Sequence, residues 1–225
     1  MYSNRLDLAC KHTGWYTLWE EHQKTEVDVD MGRTSRVGRS RTPAADRILR
    51  AASEMFYREG IRAVGVDAIA AEADVTKKTL YEKYGSKDRL VAAYLRARDE
   101  RWRSWLLGVV ERRGGTARER LLSTFDALAE WMERENPRGC GFVNAAAELP
   151  HADHPARVVV MEQKMWMRGY LAELAAEGGA ENPEDLAERL LILHEGATVA
   201  YSLGMAEDAA QEARQIAAHL IADLQ

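Results

Sequence analysis

Apolar side chains recur along this chain at intervals of three and four, the period of a helix with one buried face. Ile48, Leu49, Ala52, Met55 and Phe56 form the first such stripe. Thr42 can cap it, Pro43 suits its first position, and Gly60 stops it. A short helix fits residues 66–73 with Ile69 and Ala70 inward, and another fits 76–84 with Leu80 inward. Ser86 can cap a long helix over 87–113, which Gly114 and Gly115 end. Further helices fit 116–135, 144–149, 154–177, 184–203 and 208–224, separated by glycine- and proline-bearing breaks. No β-type alternation persists, and there is no internal repeat or heptad array. The predicted fold class is all-α.

The most informative stretch is residues 60–90. Short helix, tight turn and short helix make the geometry that presents a recognition helix to the major groove. Ala70 is small where the helices cross, Val75 follows the turn, and Leu80 faces back to the core. Thr76 can cap the recognition helix, whose N-terminus favours phosphate. Phe56, Gly60, Ile69-Ala70, Ala73-Asp74-Val75-Thr76, Thr79-Leu80-Tyr81, Tyr84, Ser86-Lys87 and Leu90 stand in the order and spacing of a known motif. On these residues the stretch resembles the DNA-binding domain of the tetracycline-repressor (TetR) family of bacterial transcriptional regulators. Three positions depart from the family pattern. Asp74 stands where glycine is usual in the turn, Gly65 where threonine often precedes the second helix, and Tyr84 where phenylalanine is common.

The resemblance implies roles for particular residues. Tyr81 and Lys87, and at times Thr79, match positions that contact phosphate. Lys77, Lys78, Glu82 and Lys83 project from the exposed face of the recognition helix. Lysine can donate to guanine and glutamate can accept from cytosine. Lys77 and Lys78 are the expected base readers, and Lys83 is expected on phosphate or base. The resemblance also divides the chain. Residues 42–90 would be an N-terminal three-helix helix-turn-helix domain. Residues 91–225 would be a helical domain that binds an effector and dimerises. The implied partners are double-stranded DNA with a pseudo-palindromic operator, a small apolar or aromatic effector, and a second copy of the chain.

Charge changes this picture less than its total suggests. The 225 residues sum to −5, which argues at first against a nucleic-acid partner. Residues 31–90, however, carry 13 basic and 8 acidic side chains, while 91–225 carry 15 and 22. A basic module lies inside an acidic protein. Residues 31–41 read as a flexible basic arm whose Arg33, Arg36, Arg39 and Arg41 suit the minor groove. Residues 1–30 form an extension with no clean period, and Met31 is an alternative start. No apolar run reaches the ~18–20 residues of a membrane span, and no secretory signal opens the chain. Cys10 and Cys140 lie far apart and make no pair motif. The expectation is a reduced, cytoplasmic protein with no membrane association and no cofactor.

The larger half holds aromatic and methionine residues suited to a small-molecule pocket. Candidates are Phe125, Leu128, Trp131, Met132, Phe142, Met161, Met165, Trp166, Tyr170, His194 and Tyr201, with Asn144 and His194 the polar groups to test first. Gly139 to Leu149 followed by His154-Pro155 resembles a subgroup of the same family. Small residues at Gly196, Ala197, Ala200 and Gly204 would let a partner helix approach. The spacing of Ala209, Ala213, Ile216, Ala217, Leu220 and Leu224 predicts one face of the last helix. The expected function is a non-enzymatic repressor released from its operator by a ligand. The alternatives are an activator of the same build, or a helical metal-dependent enzyme using Glu148, His151, Asp153 and His154. Cys140 sits between glycines, and no basic residue beyond Arg138 lies near it in sequence. An inert thiol is the expected reading, a thiol sensor the rival.

Overall fold

The computed structural model describes residues 42–135, 138–149, 151 and 153–225. The extension over 1–30 and the arm with Arg33, Arg36, Arg39 and Arg41 lie outside the described residues. Among the described residues all regular structure is helical.

Helix α1, Pro43–Glu59, opens as its sequence dictates. Pro43 occupies the first turn and the Thr42 hydroxyl accepts from the Ala45 amide. Helices α2, Val66–Glu72, and α3, Lys77–Tyr84, form the helix-turn-helix. Their turn places Asp74 at φ 50°, in the left-handed region where aspartate is better tolerated than most residues. Arg47 of α1 braces that turn. Its Nε donates to the Ala73 carbonyl at 2.9 Å and its Nη2 to the Asp74 carbonyl at 3.2 Å. At the other end of α3 the Tyr84 hydroxyl donates to the Ala45 carbonyl at 2.8 Å. Tyrosine in place of phenylalanine is therefore a gain, adding a polar tie across the domain.

Helix α4, Lys87–Arg113, is capped by Ser86 and at 27 residues is the longest of the described helices. It is followed by α5 (Ala117–Glu135), α6 (Gly141–Glu148), α7 (Pro155–Glu177), α8 (Pro183–Ser202) and α9 (Ala209–Leu220). Helix α6 begins three residues before the predicted 144. Cys140 takes the cap position, its carbonyl accepting from the Asn144 amide at 3.0 Å. Burial of Phe142 and Ala145 fixes the glycine-flanked start as helix. Helix α9 ends earlier than predicted and divides its apolar residues. Ala209, Ala213 and Ala217 face inward, whereas Ile216 and Leu220 are 52% and 41% exposed.

Two apolar clusters fill the interior. One joins α1, α2 and α3 to the start of α4, and it also takes in Phe142, Ala145, Val159 and Val160 from α6 and α7. The other is built from the rest of α4 with α5, α7, α8 and α9. Helix α4 belongs to both, so it is a shared beam. Helix α6 packs with the helix-turn-helix while its first residues face the second cluster's cavity, described below. Asp126 of α5 ties the larger cluster together, pairing with Arg113 at 2.7 Å and Arg214 at 3.2 Å. No described helix is long and apolar enough to cross a membrane.

Candidate functional site

The outer surface of the helix-turn-helix is α3. Thr76 caps it, accepting from the Thr79 amide at 3.1 Å, and the two hydroxyls lie 2.9 Å apart. Leu80 is fully buried and points the opposite face outward. Lys77, Lys78, Tyr81, Glu82 and Lys83 are all exposed, and Thr79 is half-buried beside them. The sequence-predicted residues of α3 are therefore open to solvent rather than part of the core. Two of its lysines already have partners. Lys77 Nζ lies 2.9 Å from the Asp67 carboxylate on α2, which raises its pKa above the usual lysine value. Lys78 reaches Glu82 at 3.9 Å, a looser pair one turn away. Lys87 opens α4 with its ammonium 6.0 Å from the centre of the Phe56 ring. Gly65 caps α2 through the backbone alone, and a side chain there would meet open space.

A cavity of about 50 Å³ lies between α4, α5, α7 and α8 and the first turn of α6. Trp102, Leu128, Trp131, Phe142 and Met167 supply its apolar wall. Trp131, Phe142 and His194 are the predicted pocket residues that line it together with Leu128. The rest fall elsewhere. Phe125 is fully buried behind His194, with ring centres 4.2 Å apart. Trp166 and Tyr170 stack on each other at 5.6 Å outside the cavity, with Arg103 over the Trp166 ring. Met165 is 37% exposed, and Tyr201 is half-buried and not part of the lining. Asn144 is exposed on α6, donating to the Arg138 carbonyl at 2.9 Å. Each of these lies on a helix that does border the cavity or its neighbours. Helical period marks the apolar side chains of a helix but not which of its neighbours each one meets.

The polar lining was missed. Arg98, Gln163, Lys164, Glu195 and Thr198 join Cys140 and His194 there. A signal was present: Arg98 falls in step with Tyr94 and Trp102, and Gln163 and Lys164 lie between Val160 and Met167, on otherwise apolar faces. His194 is buried and its Nε2 lies 3.0 Å from the Thr124 hydroxyl. Burial, then the nearby Lys164 charge, push its pKa down to about 3, so the imidazole is neutral. Lys164 contacts Glu195 at 2.5 Å and Cys140 Sγ at 3.4 Å. Burial acts against its charge, yet Cys140 and Glu195 more than offset this and hold its pKa above the ordinary value. Proximity in sequence, which offers Cys140 only Arg138, does not disclose this neighbour. Lys164 is distant in sequence and adjacent in space.

The cavity and the helix-turn-helix meet through α6 and its leading turn. Tyr57 of α1 donates to the Gly139 carbonyl at 3.1 Å and accepts from the Arg138 amide at 3.0 Å. Arg98, a cavity residue, stacks on the Tyr57 ring at 4.3 Å. Glu148, at the far end of α6, accepts from the Arg62 amide at 2.8 Å. At Gly141 an added Cβ would lie 2.8 Å from Arg98 Nε, so glycine permits this close approach.

The proposed enzymatic constellation does not converge. His154 caps α7 through Nδ1, which accepts from the Ala156 amide at 3.1 Å, and its Nε2 lies 3.3 Å from Asp88. His151 and Asp153 are exposed. Among the described residues no three His, Cys, Asp or Glu side chains gather as metal ligands would.

Comparison with known proteins agrees with this geometry. A family model described as bacterial regulatory proteins, tetR family, matches residues 48–94. A second, described as tetracyclin repressor-like, C-terminal domain, matches residues 117–217. The crystal structure of a TetR-family transcriptional regulator from Streptomyces coelicolor superposes with a TM-score of 0.75. It is 30% identical, over 81% of this chain and 96% of that one. The chain belongs to the TetR family. A TetR-type regulator structure from Streptomyces avermitilis is 28% identical with a TM-score of 0.71, covering 82% of this chain and 100% of that one. The HTH-type transcriptional regulator YjdC of Escherichia coli is 22% identical over 66% of this chain and 78% of its own length. As a TetR-family protein the chain is a DNA-binding transcriptional regulator built on a helix-turn-helix. Dimerisation, repression and release by small ligands are typical of the family, whose fold is that of a regulator.

Proposed function

We propose that this TetR-family protein is a homodimeric repressor released from a pseudo-palindromic operator by a small, largely apolar effector. The observation that carries this reading is the linkage of two sites by α6. Its first turn forms part of the cavity wall, while Gly139 just before it and Glu148 at its end hold α1 and the loop after it. An effector that displaces α6 thereby tilts α3 relative to its dimer mate, and two recognition helices at the wrong spacing lose the operator. In this reading Lys77, Lys78 and Glu82 read base edges. Thr76, Thr79, Tyr81, Lys83 and Lys87 hold the phosphate backbone. Lys77 must exchange its Asp67 partner for DNA.

The second copy docks on α8 and α9. Ile192, Gly196, Val199 and Leu203 form one stripe on α8 and the turn after it, and Ile216 and Leu220 lie on α9. The five large residues are between 41% and 67% exposed. Gly196 has nothing within 4 Å of an added Cβ, which leaves room for a partner helix. Exposed apolar side chains of this size on two neighbouring helices are what a partner helix would cover.

The test is titration of the protein with duplex from its own promoter region across a range of salt. Tight binding that weakens steeply with salt and is lost with excess effector supports the reading. Coupling is reciprocal, so operator DNA must weaken effector binding by the same factor. Absence of salt-dependent binding to that duplex would sink it.

A further inference from the structure

The cavity contains more chemistry than an apolar effector needs. Gln163 is only 4% exposed, lines the cavity, and has a buried side-chain oxygen with no hydrogen-bond partner. A buried acceptor of this kind costs free energy unless a ligand group satisfies it. Cys140 lies on the same wall, half-buried, at the N-terminus of α6. The Lys164 ammonium is 3.4 Å from its sulfur. At this polar end the Lys164 and Glu195 side chains are 21% and 34% exposed, which gives small molecules a way in from solvent.

We propose that Cys140 is a covalent attachment site for small α,β-unsaturated carbonyl compounds that enter this cavity, and that the adduct releases the protein from DNA. The second clause rests on the regulator reading above; the first does not. The nucleophile in such an addition is the thiolate, and here the Lys164 ammonium stands 3.4 Å from the sulfur of a residue that itself takes the N-cap position of α6. Sulfur attacks the β-carbon and forms one S–C bond. The alkene π pair moves through the conjugated system onto the carbonyl oxygen. That enolate faces the Lys164 and Arg98 cations, and the Gln163 oxygen can accept from its enol form. A proton from water then returns to the α-carbon, replacing the one lost from the thiol. There is no leaving group and no oxidant. Lys164 does not compete for the electrophile, because an ammonium held protonated by Glu195 has no free electron pair.

Bound carbon at Cys140 lies next to Gly139, whose carbonyl holds Tyr57, so the adduct acts on the contacts that seat the helix-turn-helix. The experiment treats the full chain, with Cys10 replaced by serine, with methyl vinyl ketone. Intact-mass spectrometry follows adduct formation, and duplex affinity is measured before and after. One adduct at Cys140 is expected, formed about tenfold or more faster than on N-acetylcysteine at the same pH. Lys164→Met should remove that advantage and Lys164→Arg should keep most of it. The adduct should weaken duplex binding about tenfold or more, and Cys140→Ser should be neither modified nor released. Labelling no faster than the free thiol, or equally fast in Lys164→Met, overturns the site. Labelling that leaves duplex affinity unchanged overturns its regulatory role. If untreated protein binds no duplex, the regulator reading fails, and the labelling rates still decide the site.

Discussion

His194 illustrates how one residue ties stability to pH. Its folded-state pKa, about 3, lies below the ordinary histidine value because burial and Lys164 disfavour the charged ring. The unfolded chain therefore takes up the proton first as pH falls. The contribution to stability is complete above about pH 6.5 and is lost progressively below it, by roughly 2 kcal/mol at pH 5. Thermal melts of the native protein should fall more steeply between pH 7 and pH 5 than those of His194→Gln. Equal slopes would mean that His194 is not buried as a neutral ring. Tyr84 offers a second measurement at this scale. Tyr84→Phe removes the hydroxyl bond to Ala45 and should cost about 1 kcal/mol in urea unfolding. An unchanged midpoint would show that solvent replaces that bond at no cost. Both side chains were named from the sequence, but neither partner was. Period and motif identify a side chain, whereas its partner comes from another helix.

Among elements, α3 concentrates the chemistry, and its two leading lysines differ in environment. Lys77 is paired with Asp67 at 2.9 Å, whereas Lys78 is only loosely held by Glu82. Lys78→Ala should therefore lower operator affinity more than Lys77→Ala, and the double change should abolish discrimination between operator and random duplex. Lys87→Ala should weaken both duplexes alike and reduce the salt slope by about 0.9, the share of one phosphate contact. A loss of operator preference in Lys87→Ala would reassign it to base reading. The helix-turn-helix was legible because its constraints are local. A cap, a turn residue and three inward apolar positions sit within residues 60–90. Helix α6 was less legible. Its glycine-flanked start reads as a break, and only burial of Phe142 and Ala145 against other helices makes it helical from Gly141.

For the whole molecule, the proposed docking face for a second copy is the set of exposed apolar residues on α8 and α9. Ile192→Glu with Val199→Glu places charge on that face without touching the core, since these two are 64% and 46% exposed. Self-association measured by analytical ultracentrifugation should weaken about 100-fold or more, and operator affinity should fall with it. A variant that remains dimeric would move the interface elsewhere. The same scale explains why net charge misled. The basic excess and the acidic excess belong to different parts of the chain, so their sum describes neither.

The sequence alone determined the all-α class, the helix-turn-helix, its exposed basic face and the family. Each of these is written in spacings of a few residues, and side chains that close are fixed by the helix itself. The tertiary structure decided the contents of the cavity and its contacts with the helix-turn-helix through α6. Arg98, Cys140, Gln163, Lys164 and His194 come from α4, α7, α8 and the turn that opens α6. Their meeting depends on how those helices rotate and cross, which no single helix encodes. Cys140 shows the difference most directly. In sequence Arg138 is the sole basic neighbour, and in the fold Lys164 stands 3.4 Å from its sulfur.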